Sequence, residues 1–198
     1  MSEQIQKLRT RTAAPMVACR DALRDAGGDV DKAAELLRIR GVAKAGEIQG
    51  RDATQGCLGY YVHHDRSVVA VVELRCQTDF VARLPEFRAL ADAIAMHVAG
   101  RDPAPICVDE ADIPAGALTV EQHVQRTRAA ESGRPAAVQQ RMIDGGLAKW
   151  KREICLLSQP FVRDSSKDVR TLLLELSAVV REPVRVAAFV CTKLGGRK

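Results

Sequence analysis

The sequence predicts an α+β fold: an N-terminal three-helix bundle, then a core with a small antiparallel sheet and a helical hairpin. Three observations carry this. Val68, Ala70, Val72, Leu74 and Cys76 alternate with Val69, Val71, Glu73 and Arg75, the two-residue period of a strand with one buried face. Phe87, Leu90, Ala91, Ile94 and Val98 then recur at helical spacing. Elsewhere, helical segments group against only a few strands, which is the α+β pattern. The boundary is expected near residue 50, with residues 1–50 a three-helix domain and linker and 51–198 the α+β core.

The first forty residues read as three short helices. Ile5 and Leu8 give the first an apolar edge. Pro15 opens the second, in which Met16, Cys19, Leu23 and Ala26 share a face. Gly27-Gly28 ends it, Asp29 caps the third, and Val30, Ala33, Ala34 and Leu37 line that helix up to Gly41. By this spacing Met16 faces the bundle and Val17 faces solvent. Residues 44–55 read as a linker with some helical character. A hairpin follows, with strands Cys57–Val62 and Ser67–Cys76 around the turn His63-His64-Asp65-Arg66.

Between the second strand and the next helix lies Thr78-Asp79-Phe80-Val81-Ala82. Thr78 or Asp79 caps the helix, and Pro85 suits an early helical position. Phe80 is either a core residue, as most phenylalanines are, or a side chain held out for a partner. Periodicity does not choose between the two.

The helix from Pro85 to Ala99 has His97 near its end, where a basic residue suits the dipole. Pro103, Pro105 and Pro114 mark an extended crossing. Thr119-Val120-Glu121-Gln122 reads as a capping box opening a helix to Glu131, and Pro135 starts a second that runs to Ile154. These two form an antiparallel pair. Cys155-Leu156-Leu157 reads as strand, and Pro160 ends regular pairing. Asp164 or Ser166 caps a last helix bearing Val169, Leu172, Leu173, Leu176 and Val180. Pro183 closes it, and Val184–Cys191 is a final strand.

Composition excludes several classes. The chain has 198 residues, 46% apolar and only 4% aromatic, so it can bury a core built on aliphatic side chains. Its net charge of +5 permits an acidic partner without requiring nucleic acid, and no Lys/Arg run or interleaved aromatics supports single-strand binding. The six cysteines form no Cys-x-x-Cys pair, which argues against a zinc ribbon. His63 and His64 are adjacent and do not converge on a strand, so no metal site is expected. No basic-then-apolar leader is legible at the start, and no apolar run is long enough to cross a bilayer, so a cytoplasmic setting is expected. No Walker-type phosphate loop, Gly-x-Ser-x-Gly or triad spacing is present, so neither enzymatic activity, direct nucleotide binding nor a cofactor is expected.

Cys76-Gln77-Thr78-Asp79-Phe80-Val81-Ala82-Arg83 resembles the signature of the elongation factor Ts family, the nucleotide exchange factors for elongation factor Tu. Leu156-Leu157-Ser158-Gln159-Pro160-Phe161-Val162-Arg163-Asp164 resembles that family's C-terminal core motif, and a weaker likeness lies around Met16 to Leu23. The three stand in the family's order and together span nearly the whole chain.

The resemblance implies a ubiquitin-associated-type fold for the N-terminal bundle. It implies a partner, GDP-bound elongation factor Tu, met by Thr78, Asp79, Phe80 and Val81, with Met16, Val17 and Arg20 as a second contact. It also implies a homodimer built through the core, because only one core unit is legible where long members carry two. The sequence departs from the family at Thr12-Ala13-Ala14-Pro15-Met16, where Thr-Gly-Ala-Gly-Met is usual. It departs again at Ala18, usually Asp, and at Leu84, usually Asn or Asp. The alternative reading is a protein- or RNA-binding α+β module without exchange activity.

Overall fold

The computed structural model describes residues 2–12, 14 and 16–195, with the side chains of residues 2 and 42–47 left aside. It is mixed helix and sheet. Helices α1 (Ser2–Thr12), α2 (Met16–Asp25) and α3 (Val30–Ile48) precede the hairpin of β1 (Gln55–Val62) and β2 (Val68–Cys76). A single turn of helix, α4 (Asp79–Ala82), leads into α5 (Pro85–Gly100). The helical pair α6 (Ala115–Glu131) and α7 (Ala136–Ile154) follows. Then come β3 (Pro160–Phe161), β4 (Asp164–Asp168), α8 (Val169–Val180) and β5 (Arg185–Lys193). The strands form a three-stranded antiparallel sheet of order β1-β2-β5 and a two-stranded ribbon of β3 and β4.

The chain groups into two compact units. One comprises Met1–Cys57, Leu74–Arg88 and Thr171–Arg185; the other comprises Leu58–Glu73, Ala89–Arg170 and Val186–Lys198.

In the first unit, Leu8, Cys19, Ala22, Leu23 and Ala33 bury together, with Ile5, Ala26, Val30, Ala34 and Leu37 packed around them. Gly27 and Gly28 end α2 at φ 64° and 87°, a conformation that glycine adopts without Cβ strain. The Asp29 carboxylate accepts the N–H groups of Asp31 and Lys32, capping α3 as its sequence position predicts. The opening of α2 by Pro15 lies outside the described residues. Two other expectations need correction. Met16 does not face the bundle: it is 59% exposed, because Cys19, Ala22 and Leu23 already fill that face of α2. Gly41 does not stop α3, which runs on through residues 44–48. At Gly41 a Cβ would lie 3.4 Å from that of Ala178, so the glycine marks a close approach of α3 to α8 rather than a helix end.

In the second unit, a Cβ on Gly59 would overlap the backbone carbonyl of Ala91, so β1 lies directly on α5 there. The hydrogen bond from the Tyr60 N–H to the Asp92 carboxylate, 3.0 Å, ties the same two elements. In the helical hairpin a Cβ on Gly146 would meet only the end of the Gln125 side chain, and α7 runs unbroken through Gly145-Gly146.

Several local assignments differ from expectation. Helix α6 starts at Ala115, and the Thr119 hydroxyl donates back to the Ala115 carbonyl from within it, so Thr119 opens no capping box. The capping box present is at Asp109–Asp112, ahead of the pair. Leu156–Ser158 is a 3₁₀ turn rather than a strand; only Cys155 makes a bridge, to Cys107. Pro160 does not end pairing but begins β3. Asp164 and Ser166 cap no helix: they lie in β4, and α8 begins at Val169.

His97 does not serve a helix dipole. It is fully buried, with Nδ1 accepting the Val162 N–H at 3.2 Å and Nε2 donating to the Gln159 side-chain oxygen at 3.0 Å. Its ring lies 5.7 Å from that of Phe161. Both nitrogens are engaged only by the neutral imidazole, and burial pushes its pKa below the usual histidine range.

Candidate partner-binding site

The stretch Thr78–Ala82 is built by two demands that pull in opposite directions. Ahead of it, Leu74 and Cys76 are buried and anchor the end of β2; after it, Phe87 is buried and anchors the start of α5. The chain between must reverse within a few residues, and it does so through the single helical turn α4. Thr78 is the N-cap. Its backbone is extended, φ −118° and ψ 155°, and its hydroxyl accepts the Val81 N–H at 3.4 Å. Of the two caps the sequence allows, the structure uses Thr78. Asp79 is the first helical residue and pairs with Arg83 at 2.9 Å across one turn. Both partners are largely exposed, so this pair is worth little stability.

The four turn residues divide by direction. Val81 is 7% exposed and packs inward with Ala82. It supports the turn from within and leaves little side-chain surface exposed. Thr78 is turned to its own hydrogen bonds. Phe80 is 78% exposed. An unpartnered phenylalanine, held at the tip of a capped turn and flanked by buried anchors, is not a core residue.

The turn is braced through its backbone. The Arg83 N–H reaches the carbonyls of Asp79 and Phe80, the Leu84 N–H reaches Val81, and the Arg88 N–H reaches Leu84 at 3.2 Å. Leu84 thus occupies the position before α5, with no side-chain oxygen to cap that helix. A brace that sequence reasoning did not find comes from Glu182, whose carboxylate accepts hydrogen bonds from Gln77 and Thr78.

On α2, Met16 and Val17 are both exposed, and Arg20 is exposed with a loose 3.4 Å contact to the neighbouring Asp21. Two adjacent apolar side chains in solvent, beside an arginine with little intramolecular commitment, form a small apolar and basic patch. Phe80 and this patch belong to the same unit.

The C-terminal motif Leu156–Asp164 has a different character. Leu156, Gln159 and Phe161 are buried, and Gln159 and Phe161 hold His97. It shapes the second unit from within. His63 and His64 sit in the hairpin turn, with His63 Nδ1 hydrogen-bonded to the Tyr61 hydroxyl at 2.9 Å. Among the described residues no group of three or more His, Cys, Asp or Glu side chains is gathered to hold a metal, and no helix is long and apolar enough to cross a membrane. Cys107 and Cys155 lie with their sulfurs 3.4 Å apart, and burial pushes the Cys155 thiol up to about 12, so it is protonated at neutral pH.

The family model described as elongation factor TS matches residues 5–196. Elongation factor Ts of Nitratidesulfovibrio vulgaris is 36% identical over 197 residues, covering 100% of this chain and 98% of its own length. That of Acetivibrio thermocellus is 40% identical over 189 residues, 96% of this chain and 87% of its own. That of Thermosipho melanesiensis is 39% identical over 191 residues, with 96% of each covered. A match along almost the whole chain, together with a capped turn that carries the expected motif, places the protein plainly: it belongs to the elongation factor Ts family of translation elongation factors.

Proposed function

We propose that this protein is a guanine-nucleotide exchange factor for elongation factor Tu, acting on its GDP-bound form. The observation that carries the reading is Phe80: a phenylalanine 78% exposed, on a capped turn, within the family's signature. An aromatic side chain so displayed is a ready anchor for a protein pocket. Phe80 inserts between helices of the partner's GTPase domain and displaces the elements that hold magnesium and the nucleotide phosphates. Magnesium bridges phosphate oxygens, so loss of its geometry weakens GDP. The factor supplies no chemical step and binds no nucleotide itself. It lowers the barrier to release in both directions and leaves the final GDP to GTP ratio to their concentrations.

The patch of Met16, Val17 and Arg20 gives a second contact that adds affinity. Residues 1–50 then serve as a docking domain and 51–198 as the core and dimerisation domain, working in the cytoplasm. The homodimer is supported by the open face of the sheet. Leu58, Tyr60 and Val62 alternate outward on β1, and Val69 on β2 and Val190 on β5 are also exposed. An apolar sheet face of this kind fits a second copy of itself about a two-fold axis. Light scattering at micromolar concentration is expected to give twice 21.6 kDa, and the monomer mass would refute the dimer.

Release of a fluorescent GDP analogue from elongation factor Tu tests the main reading. Micromolar protein is expected to raise the release rate at least tenfold. No acceleration, together with salt-sensitive binding to RNA, would replace it with an RNA-binding function.

A further inference from the structure

Glu182 lies outside every motif legible in the sequence, yet its carboxylate is directed at the turn that carries Phe80. Oε2 accepts the N–H of Gln77 at 3.0 Å and of Thr78 at 2.9 Å, and Oε1 accepts the Thr78 hydroxyl at 2.7 Å. The hydroxyl has one proton. Giving it to Glu182 leaves the oxygen's lone pairs for the Val81 N–H, which is the bond that caps α4. Glu182 therefore fixes both the backbone entering the turn and the rotamer of its cap.

Glu182 is itself held from both sides. Helix α8 ends at Val180, and Arg181 takes a left-handed conformation, φ 59°, that redirects the chain. An arginine is disfavoured there and persists where its surroundings over-determine it. The Arg181 N–H returns to the Ser177 carbonyl at 2.8 Å, and the fully buried Ser177 hydroxyl donates to the Glu182 carbonyl. The buried Pro183 follows and fixes its own φ.

We propose that Glu182 is a positioning residue for exchange: it holds the Gln77–Val81 turn in the one geometry that projects Phe80. The inference rests on the reading of Phe80 as the exchange-promoting side chain. The role belongs to the length and hydrogen-bonding reach of the side chain rather than to its charge. Glutamine can keep both N–H bonds through its oxygen and meet the Thr78 oxygen with its amide. Aspartate keeps the charge and falls one methylene short.

The test uses full-length Glu182→Gln, Glu182→Asp, Glu182→Ala and Phe80→Ala. Each is assayed for GDP release from elongation factor Tu at saturating concentration, and for circular dichroism at the assay temperature. Glu182→Gln is expected within about twofold of the unaltered protein. Glu182→Asp and Glu182→Ala are expected to lose at least fivefold in the saturating rate while folded. A merely structural role would lower the melting temperature and leave the saturating rate of the folded protein unchanged, and that result would overturn the inference. Equal loss in Glu182→Gln and Glu182→Ala would overturn it too, since charge would then be the cause. Where Glu182→Ala does not fold, Glu182→Asp carries the test, and Thr78→Val, which removes the contact to Glu182 together with the cap on Val81, carries the same expectation of a lowered saturating rate. If Phe80→Ala loses exchange and the folded Glu182 variants do not, only the role of Glu182 fails. If Phe80→Ala exchanges normally, the underlying reading of Phe80 fails.

Discussion

Replacing Phe80 by alanine separates the two uses a buried or displayed phenylalanine can have. A core Phe→Ala change costs about 3–5 kcal/mol through lost transfer energy and the cavity left behind. At Phe80 only about a fifth of the residue's surface is covered, since it is 78% exposed. Scaling the core cost by that fraction leaves about 1 kcal/mol or less. For a chain of this size that lowers the melting temperature by roughly 2–4 °C. The functional effect is larger. An aromatic anchor at an interface is worth about 2 kcal/mol or more. If that contact is made in the transition state for release, about 30-fold is lost from the exchange rate, each ~1.4 kcal/mol being a factor of ten. The assay pairs thermal melting with GDP release from elongation factor Tu at a temperature where both proteins are folded. The reasoning is refuted by a variant that melts ten degrees or more early yet exchanges normally when kept cold, since Phe80 would then be structural.

Three further outcomes follow from the same structure. Gly59→Ala places a Cβ on the Ala91 carbonyl, so it should cost at least about 1–3 kcal/mol, read as a lower denaturant midpoint with unchanged slope. His97 is neutral in the folded state with a lowered pKa, so the unfolded chain takes up its proton first as pH falls. Its contribution is intact above about pH 6.5, the unfolded value, and is lost progressively below it. His97→Gln should flatten the slope of stability against pH below about 6.5. Met16→Ala with Val17→Ala should leave melting within about 0.5 kcal/mol, because both side chains are exposed. It should raise the concentration for half-maximal exchange more than it lowers the maximal rate.

What was legible in the sequence follows physical lines. Strand β2 and helix α5 are legible because each buries one full face, and burial imposes a period. The Thr78 cap was read as one of two candidates because short-range chemistry determines it. Ribbon β3–β4 was missed: Asp164-Ser165-Ser166-Lys167-Asp168 has no apolar alternation and looks like a helix start, and its pairing comes from β3. Gly41 and His97 mislead for a related reason. A glycine at a helix–helix approach resembles a helix stop, and a histidine buried against Gln159 resembles a terminal cation; in each case the deciding neighbour lies more than sixty residues away. Phe80 remained open between core and display because spacing reports which face a residue occupies only where an element is longer than one turn. Glu182 carried no local signal, since its partners lie over a hundred residues earlier.

The central claim is that binding of this protein and binding of GDP oppose one another on elongation factor Tu. Thermodynamic linkage requires the effect to be equal in both directions. The measurement is the dissociation constant of this protein for elongation factor Tu, by titration calorimetry, without nucleotide and with saturating magnesium–GDP. The account predicts that GDP weakens the complex at least a hundredfold, by the same factor with which this protein weakens GDP, and that Phe80→Ala shrinks both factors together. Equal affinity in the presence and absence of GDP would contradict it, whatever else the two proteins do on contact.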